Sequence, residues 1–305
     1  MIKFTKMSAS GNDFVVIDNR EKQILDTGSW MLDFVRKVCK RKMGIGADGV
    51  LLIESSSKAD FKMRVFNPDG GEVEMCGNGA RCVALYESKV SLGDLESPRD
   101  ERQGPPKDKP TGQAKSKVQG RNPKPETRNP KLKIETRAGI LEAEVASGDR
   151  VKIKMGEPTD TRLNFNLLVD NKEYKVHSIN TGVPHVVLFT EDLEKAKVKE
   201  IGKKIRYHQK FAPAGTNVNF IKVRDKDSLD IRTYERGVED ETLACGTGAC
   251  ASAIVSHLLG RTKSPTKMYT KSGSILTIYF DSSDAKITNL YLEGDAEIIY
   301  QGELV

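Results

Sequence analysis

An internal repeat restricts the fold of this 305-residue chain more than any other feature. GNDFVVI at Gly11–Ile17 aligns with GVPHVVL at Gly182–Leu188, offset by 171 residues. GADGVLLI at Gly46–Ile53 aligns with GTNVNFIK at Gly215–Lys222, offset 169, and RVFN at Arg64–Asn67 aligns with RTYE at Arg232–Glu235, offset 168. Two cysteine–glycine loops follow at offset 169: EMCGNGARC at Glu74–Cys82 and LACGTGAC at Leu243–Cys250. Four matches in one order at nearly constant spacing mark a duplicated unit of about 150 residues, the length of an ordinary domain. The chain is therefore expected to fold as two similar halves.

Beyond the cysteine loops the register breaks. Thr136–Val145 resembles Thr270–Phe280 at an offset of only 134, and MGEP near Gly156 resembles EGDA near Gly294 at 138. The first half thus carries an insertion of about 30–35 residues, which a surface loop absorbs at modest entropic cost. Residues 93–131 hold seven of the twelve prolines, ten Lys/Arg against six Asp/Glu, and few large apolar side chains. Such a stretch cannot bury enough surface to offset its ordering entropy, so it is expected to be disordered. It also accounts for most of the net charge of +6, which weakens the electrostatic case for nucleic acid. A basic arm that touches RNA or a partner is the alternative reading.

No run of apolar residues is long enough to span a membrane. MIKFTKMSASGNDFVVID has no apolar signal core, so a cytoplasmic location is expected, with thiols kept reduced. FKMRVFN and LDIRTYE alternate as half-buried strands. After each cysteine loop, ARCVALYESKV and ACASAIVSHLLG show helical spacing, with Gly260 as a stop. Cys76 and Cys245 therefore fall at helix N-termini, and Cys82 and Cys250 fall inside the helices. A helix start offers unpaired N–H groups and a positive dipole end, and glycine lets a ligand approach the backbone. Each loop reads as a carboxylate nest whose thiol is helped to ionise.

Three readings of the cysteines compete. Zinc fits poorly, because the spacings are Cys-x5-Cys and Cys-x4-Cys and the four histidines are scattered. Cys39, Cys82 and Cys250 read as small core residues, and a Cys76–Cys245 disulfide would need oxidising conditions. The third reading is a matched pair of thiols across a cleft, one removing a Cα proton and the other returning a proton to the opposite face.

KMSASGNDFVVID, GIGADGVLL, FNPDGGEVEMCGNGARC, GTNVNFI and YERGVEDETLACGTGACA resemble the diaminopimelate epimerase family along nearly the whole chain. Proline and hydroxyproline racemases share the two-thiol design with different motifs around both cysteines. The resemblance implies interconversion of LL- and meso-2,6-diaminopimelate for lysine and cell-wall synthesis, without pyridoxal phosphate or metal. It implies an α/β (α+β) fold of two pseudo-symmetric halves, each a twisted, mostly antiparallel sheet around a central helix, with a cleft between them. One half would comprise residues 1–154 plus 295–305 and the other 155–294, in a homodimer. Cys76 and Cys245 would be the acid/base thiols. Main-chain amides of Gly77, Asn78, Gly246 and Thr247 would hold the reacting carboxylate, with Asn12 beside the reacting centre. Asn67, Asn217 and Arg236 would bind the distal carboxylate and Glu235 the distal ammonium, while His185 and Glu235 tune the thiols. Val183 stands where the family usually has Asn, so one distal contact is expected to be missing. A racemase of another amino acid and a binding protein acting through the insertion remain the rival readings.

Overall fold

Strict alternation writes the strands that have one face on a core and one near solvent. Phe61, Met63 and Val65 are buried, while Lys62 and Arg64 between them are not. The run Val50–Ile53 is buried throughout, as expected of a strand covered on both faces. A computed structural model describes residues 1–24, 28–93, 95, 131–284 and 286–304, so nearly all of the insertion expected at 93–131 lies outside the described residues.

The first half runs β1 (Ile2–Ala9), β2 (Asn12–Asp18), α1 (Ser29–Cys39), β3 (Gly49–Glu54), β4 (Phe61–Phe66), β5 (Glu72–Val73), α2 (Gly77–Ser91), β6 (Lys131–Thr136), β7 (Gly139–Val145) and β8 (Arg150–Lys154). The second runs β9 (Thr159–Val169), β10 (Lys172–Asn180), β11 (Pro184–Phe189), α3 (Val198–Arg206), β12 (Asn217–Asp225), β13 (Ser228–Glu235), β14 (Asp240–Thr242), α4 (Gly246–Leu258), β15 (Thr266–Tyr269), β16 (Ile275–Ser283) and β17 (Lys286–Asp295). A last strand, β18 (Glu297–Leu304), closes the described chain.

The pairings repeat strand for strand. β2 and β3 are parallel, as are β11 and β12, with α1 and α3 as the respective crossovers. β4 and β6 are parallel, as are β13 and β15, with α2 and α4 between them in sequence. The other pairings are antiparallel. β18 returns to pair with β1, taking the place in the first half that β9 takes beside β10 in the second. The halves join where β8 pairs with β17, from Lys154 opposite Tyr291 to Arg150 opposite Asp295.

Each half has two cores. One surrounds the central helix: Ala80, Val83, Ala84 and Leu85 of α2 meet Leu51, Met63, Ile134 and Ile153, and Ala249, Ala253 and Ile254 of α4 meet Ile221, Ile231, Leu276 and Ile278. Alanines let a sheet wrap the helix closely. The other core lies under the outer helix, α1 or α3. Cys82 and Cys250 sit fully buried in the inner cores, and Cys39, the last residue of α1, is buried in the outer core of the first half, as small apolar residues.

Candidate active site

Each cysteine loop is anchored by an ion pair one hairpin upstream. Arg64 of β4 grips Glu72 of β5 with two bonds of 2.9 Å. Arg232 of β13 grips Glu241 beyond the matching turn at 2.7 and 3.0 Å. Two-pronged arginine–carboxylate pairs fix orientation as well as distance. Both hairpins deliver the chain to a helix start in extended conformation, so that Cys76 is the N-cap of α2 and Cys245 the N-cap of α4.

The glycines behind the cysteines bring the helix starts close to the strands. A Cβ on Gly79 would lie 2.9 Å from the Leu51 side chain, and one on Gly248 would lie 2.3 Å from Asn219 Oδ1. Only glycine lets the first turn of α4 settle this closely onto β12, whereas at Gly79 the neighbour on β3 is the flexible end of the Leu51 side chain.

At the first thiol, Gly79 N donates to Cys76 Sγ at 3.4 Å. At the second, Thr247 Oγ1 lies 3.6 Å from Cys245 Sγ. The ionisation expected from a helix start is not the outcome. Burial raises both thiols above their ordinary range, Cys245 the more strongly, and outweighs the lowering by the N–H donors. The Glu235 carboxylate adds to this at both thiols, and it accepts the thiol hydrogen of Cys245. Arg81, fully buried on α2, pulls Cys76 the other way. Burial likewise raises the Glu235 carboxyl, against hydrogen bonds from Thr242 and Cys245.

The halves meet beside this site. Ser10 Oγ and Ser274 Oγ donate to the two carboxylate oxygens of Asp295 at 3.2 and 3.1 Å. Arg81 donates to Asp295 O at 3.2 Å, Ser10 Oγ at 2.8 Å and Asn78 Oδ1 at 2.9 Å. The nest on α2 is thereby tied to the crossover strand and, through Ser274, to the second half.

The other expected residues fall as follows. Gly77 and Asn78 open α2, and Gly246 and Thr247 open α4, so their amides are in the unpaired first turn. His185 is buried, and that burial drives its pKa down to about 3, so it is neutral. Its Nε2 lies 2.9 Å from Thr247 Oγ1. Asn217 is buried, accepts from Arg236 N at 2.8 Å and donates to Pro184 O at 3.1 Å, which leaves one Nδ2 hydrogen for a ligand. Asn12 opens β2 opposite Ala9, and Asn67 is exposed in the turn before β5. The turn holding Asn12 is braced by Asp13, which receives Lys6 at 2.7 Å and Arg41 at 2.6 Å. Sequence reasoning missed Arg81, Asn219, Thr233 and the hydroxyl of Thr247; the polar residues inside the apolar strands β12 and β13 were the available signal.

Two like halves, each wrapped around a central helix that begins at a cysteine, make up a mixed α/β fold. Solved structures share it. A proline racemase candidate from Agrobacterium radiobacter K84, described as probable, superposes with a TM-score of 0.63 at 15% identity over 100% of this chain and 93% of that one. A phenazine biosynthesis protein of the PhzF family from Bacillus anthracis gives 0.65 at 15% identity over 100% and 99%. The family model for diaminopimelate epimerase matches residues 4–96 and 177–299. Proteins named diaminopimelate epimerase from Aquifex aeolicus and Methanocella arvoryzae are each 41% identical over 99% of this chain, covering 98% and 96% of theirs. The chain belongs to the diaminopimelate epimerase family, a family of isomerases.

Proposed function

We propose that this protein interconverts LL- and meso-2,6-diaminopimelate in lysine and peptidoglycan synthesis, with Cys76 and Cys245 as its two acid/base groups. The supporting observation is the pair of thiols at matching helix starts, with the charge of Glu235 reaching both. One thiolate removes the Cα proton and the opposite thiol delivers a proton to the other face. The amides of Gly77, Asn78, Gly246 and Thr247 hold the reacting carboxylate and the charge that develops on it as the Cα–H bond breaks. Asn12 lies beside the reacting centre. Asn67, Asn217 and Arg236 take the distal carboxylate. Glu235 takes the distal ammonium, and His185 and Glu235 tune the thiols, Glu235 by accepting a hydrogen bond from Cys245 that holds its thiol protonated. The scheme calls on no pyridoxal phosphate and no metal.

The same reading places the protein in the cytoplasm, with residues 1–154 plus 295–305 as one half and 155–294 as the other. A homodimer is supported by β18, which pairs only with β1 among the described residues and exposes Ile299 and Tyr300. Inversion in D2O tests the chemistry. Substrate deuterium should appear at Cα as the isomers interconvert, and Cys76→Ala or Cys245→Ala should each abolish interconversion. Full activity in either variant would sink the two-thiol scheme. A racemase of a monocarboxylic amino acid would instead be indifferent to Arg236→Met.

A further inference from the structure

The two halves share a backbone plan but differ beneath their cysteines. In the first half Phe14 on β2, Leu51 on β3 and Val65 on β4 form an apolar row. In the second half the matching places hold His185 on β11, Asn219 on β12 and Thr233 on β13. The registers establish the match and correct the offset of this segment from 169 to 168: Leu51 lies opposite Val65 and Asn219 opposite Thr233, while Phe14 and His185 each open the parallel pairing of their half, opposite Gly49 and Asn217. All six residues are buried. Leu51 and Asn219 also press against matching glycines at the helix starts, Gly79 and Gly248.

Three buried polar side chains persist where three apolar ones would pack only if they bond to one another. They do, and the bonds have one direction. Asn219 Nδ2 is 3.1 Å from Val186 O, an acceptor only, so the amide orientation is fixed. Asn219 Oδ1 accepts from Thr233 Oγ1 at 3.0 Å. The second Nδ2 hydrogen then points to His185 Nδ1 at 3.1 Å, which must be the unprotonated nitrogen. A neutral imidazole with a bare Nδ1 carries its hydrogen on Nε2, and Nε2 faces Thr247 Oγ1 at 2.9 Å. Thr247 accepts there, which frees its own hydrogen for Cys245 Sγ at 3.6 Å.

We propose that Asn219 is a positioning residue that holds His185 as its Nε2–H tautomer, so that Thr247 donates a hydrogen bond to the Cys245 sulfur. Thr233 in turn holds Asn219. The inference rests on Cys245 being one of the two reacting thiols. The row stabilises the Cys245 thiolate and does not accept its proton, because an Nε2–H cannot act as a base. Burial together with the charge of Arg236 keeps the ring neutral. At the sulfur, the Thr247 donor and the Gly248 amide oppose burial and Glu235, the charged group that faces it. Cys76 relies on main-chain donors and Arg81 instead, so the two thiols are built with unequal acid strength.

The test is Asn219→Leu, which borrows the residue the first half uses at the same place. Each cysteine is alkylated with iodoacetamide across pH, and the labelled peptides are quantified by mass spectrometry. The Cys245 profile should move up by about one pH unit, roughly tenfold slower labelling on its rising limb, with the Cys76 profile unmoved. kcat should fall about tenfold with KM held. Thr233→Val should shift Cys245 in the same direction by less. An unmoved Cys245 profile in a folded variant, or equal shifts at both cysteines, would overturn the proposal. Nitrogen-15 NMR of the unaltered protein gives a reading independent of the variant's folding: His185 should show protonated Nε2 and bare Nδ1, and the reverse pattern would refute it. Activity retained in Cys245→Ala would remove the two-thiol reading while leaving both of these measurements interpretable.

Discussion

Gly248→Ala should damage the protein far more than Gly79→Ala, although the two glycines occupy the same place in the two halves. The new methyl at 248 would lie 2.3 Å from Asn219 Oδ1 and 3.3 Å from Cys245 Cβ. An ordinary contact needs about 1 Å more, and Asn219 is not free to give it, because three bonds fix its amide. Moving it breaks those bonds at about 1 kcal/mol each and leaves buried groups unpaired at about 1–3 kcal/mol. Alanine's helix preference returns about 1 kcal/mol, so the net loss should be about 2–4 kcal/mol, with Cys245 displaced. At 79 the neighbours are the Leu51 methyls at 2.9 and 3.3 Å, the flexible end of a side chain. They can rotate, and the helix preference offsets most of the remaining strain, leaving about 0–1 kcal/mol. Urea unfolding of both variants measures the difference, and Asn219→Ala combined with Gly248→Ala closes a double-mutant cycle. Equal losses at 79 and 248, or a coupling below about 0.5 kcal/mol, would refute the claim that Asn219 is locked beneath the helix start.

Two further outcomes are expected. Val183→Asn, next to Pro184 at the start of β11, should lower KM for diaminopimelate about tenfold or more, the worth of one hydrogen bond to a charged carboxylate; an unchanged KM in steady-state assays would mean that a neighbour such as Asn180 already makes the contact. Acid should destabilise the fold below pH 6.5, because burial lowers His177 to about 4 and His185 to about 3. The unfolded chain then binds two protons that the folded protein refuses, so stability is complete above pH 6.5 and falls by up to about 1.4 kcal/mol per histidine per pH unit below it. His177→Gln should halve that slope between pH 6.5 and 5 in urea titrations, and an unchanged slope would show that His177 titrates normally in the folded protein.

The duplicated architecture was legible because strand order, parallel crossovers and helix starts repeat at nearly fixed offsets. The break of register marked the added length between α2 and β6, residues 92–130, against 259–265 between α4 and β15. What stayed hidden depends on three-dimensional burial. A helix start argues for an ionised thiol, but desolvation belongs to the surroundings of the loop and not to its sequence, and it outweighs the local donors at both cysteines. Asn219 was hidden for a related reason. A polar residue in the strand NVNFI reads as solvent-facing by alternation, and only the approach of Gly248 from α4 shows that its face is interior.

That hidden asymmetry follows from the proposed chemistry. A perfectly duplicated site would give two equivalent thiols, with no preference for which one is ionised. Proton transfer across a stereocentre needs one thiolate and one thiol at the same moment. Two sets of substitutions within the repeat break the equivalence. Glu235 stands where the first half has Asn67, placing its carboxylate against the Cys245 thiol hydrogen. His185, Asn219 and Thr233 replace Phe14, Leu51 and Val65, and present a hydroxyl donor to the same sulfur once that hydrogen has left. A carboxylate that holds the thiol hydrogen and a hydroxyl that can donate to the sulfur at one cysteine, with main-chain donors and Arg81 at the other, make the two thiols unequal and let a symmetric scaffold hold the unsymmetric charge state that inversion requires.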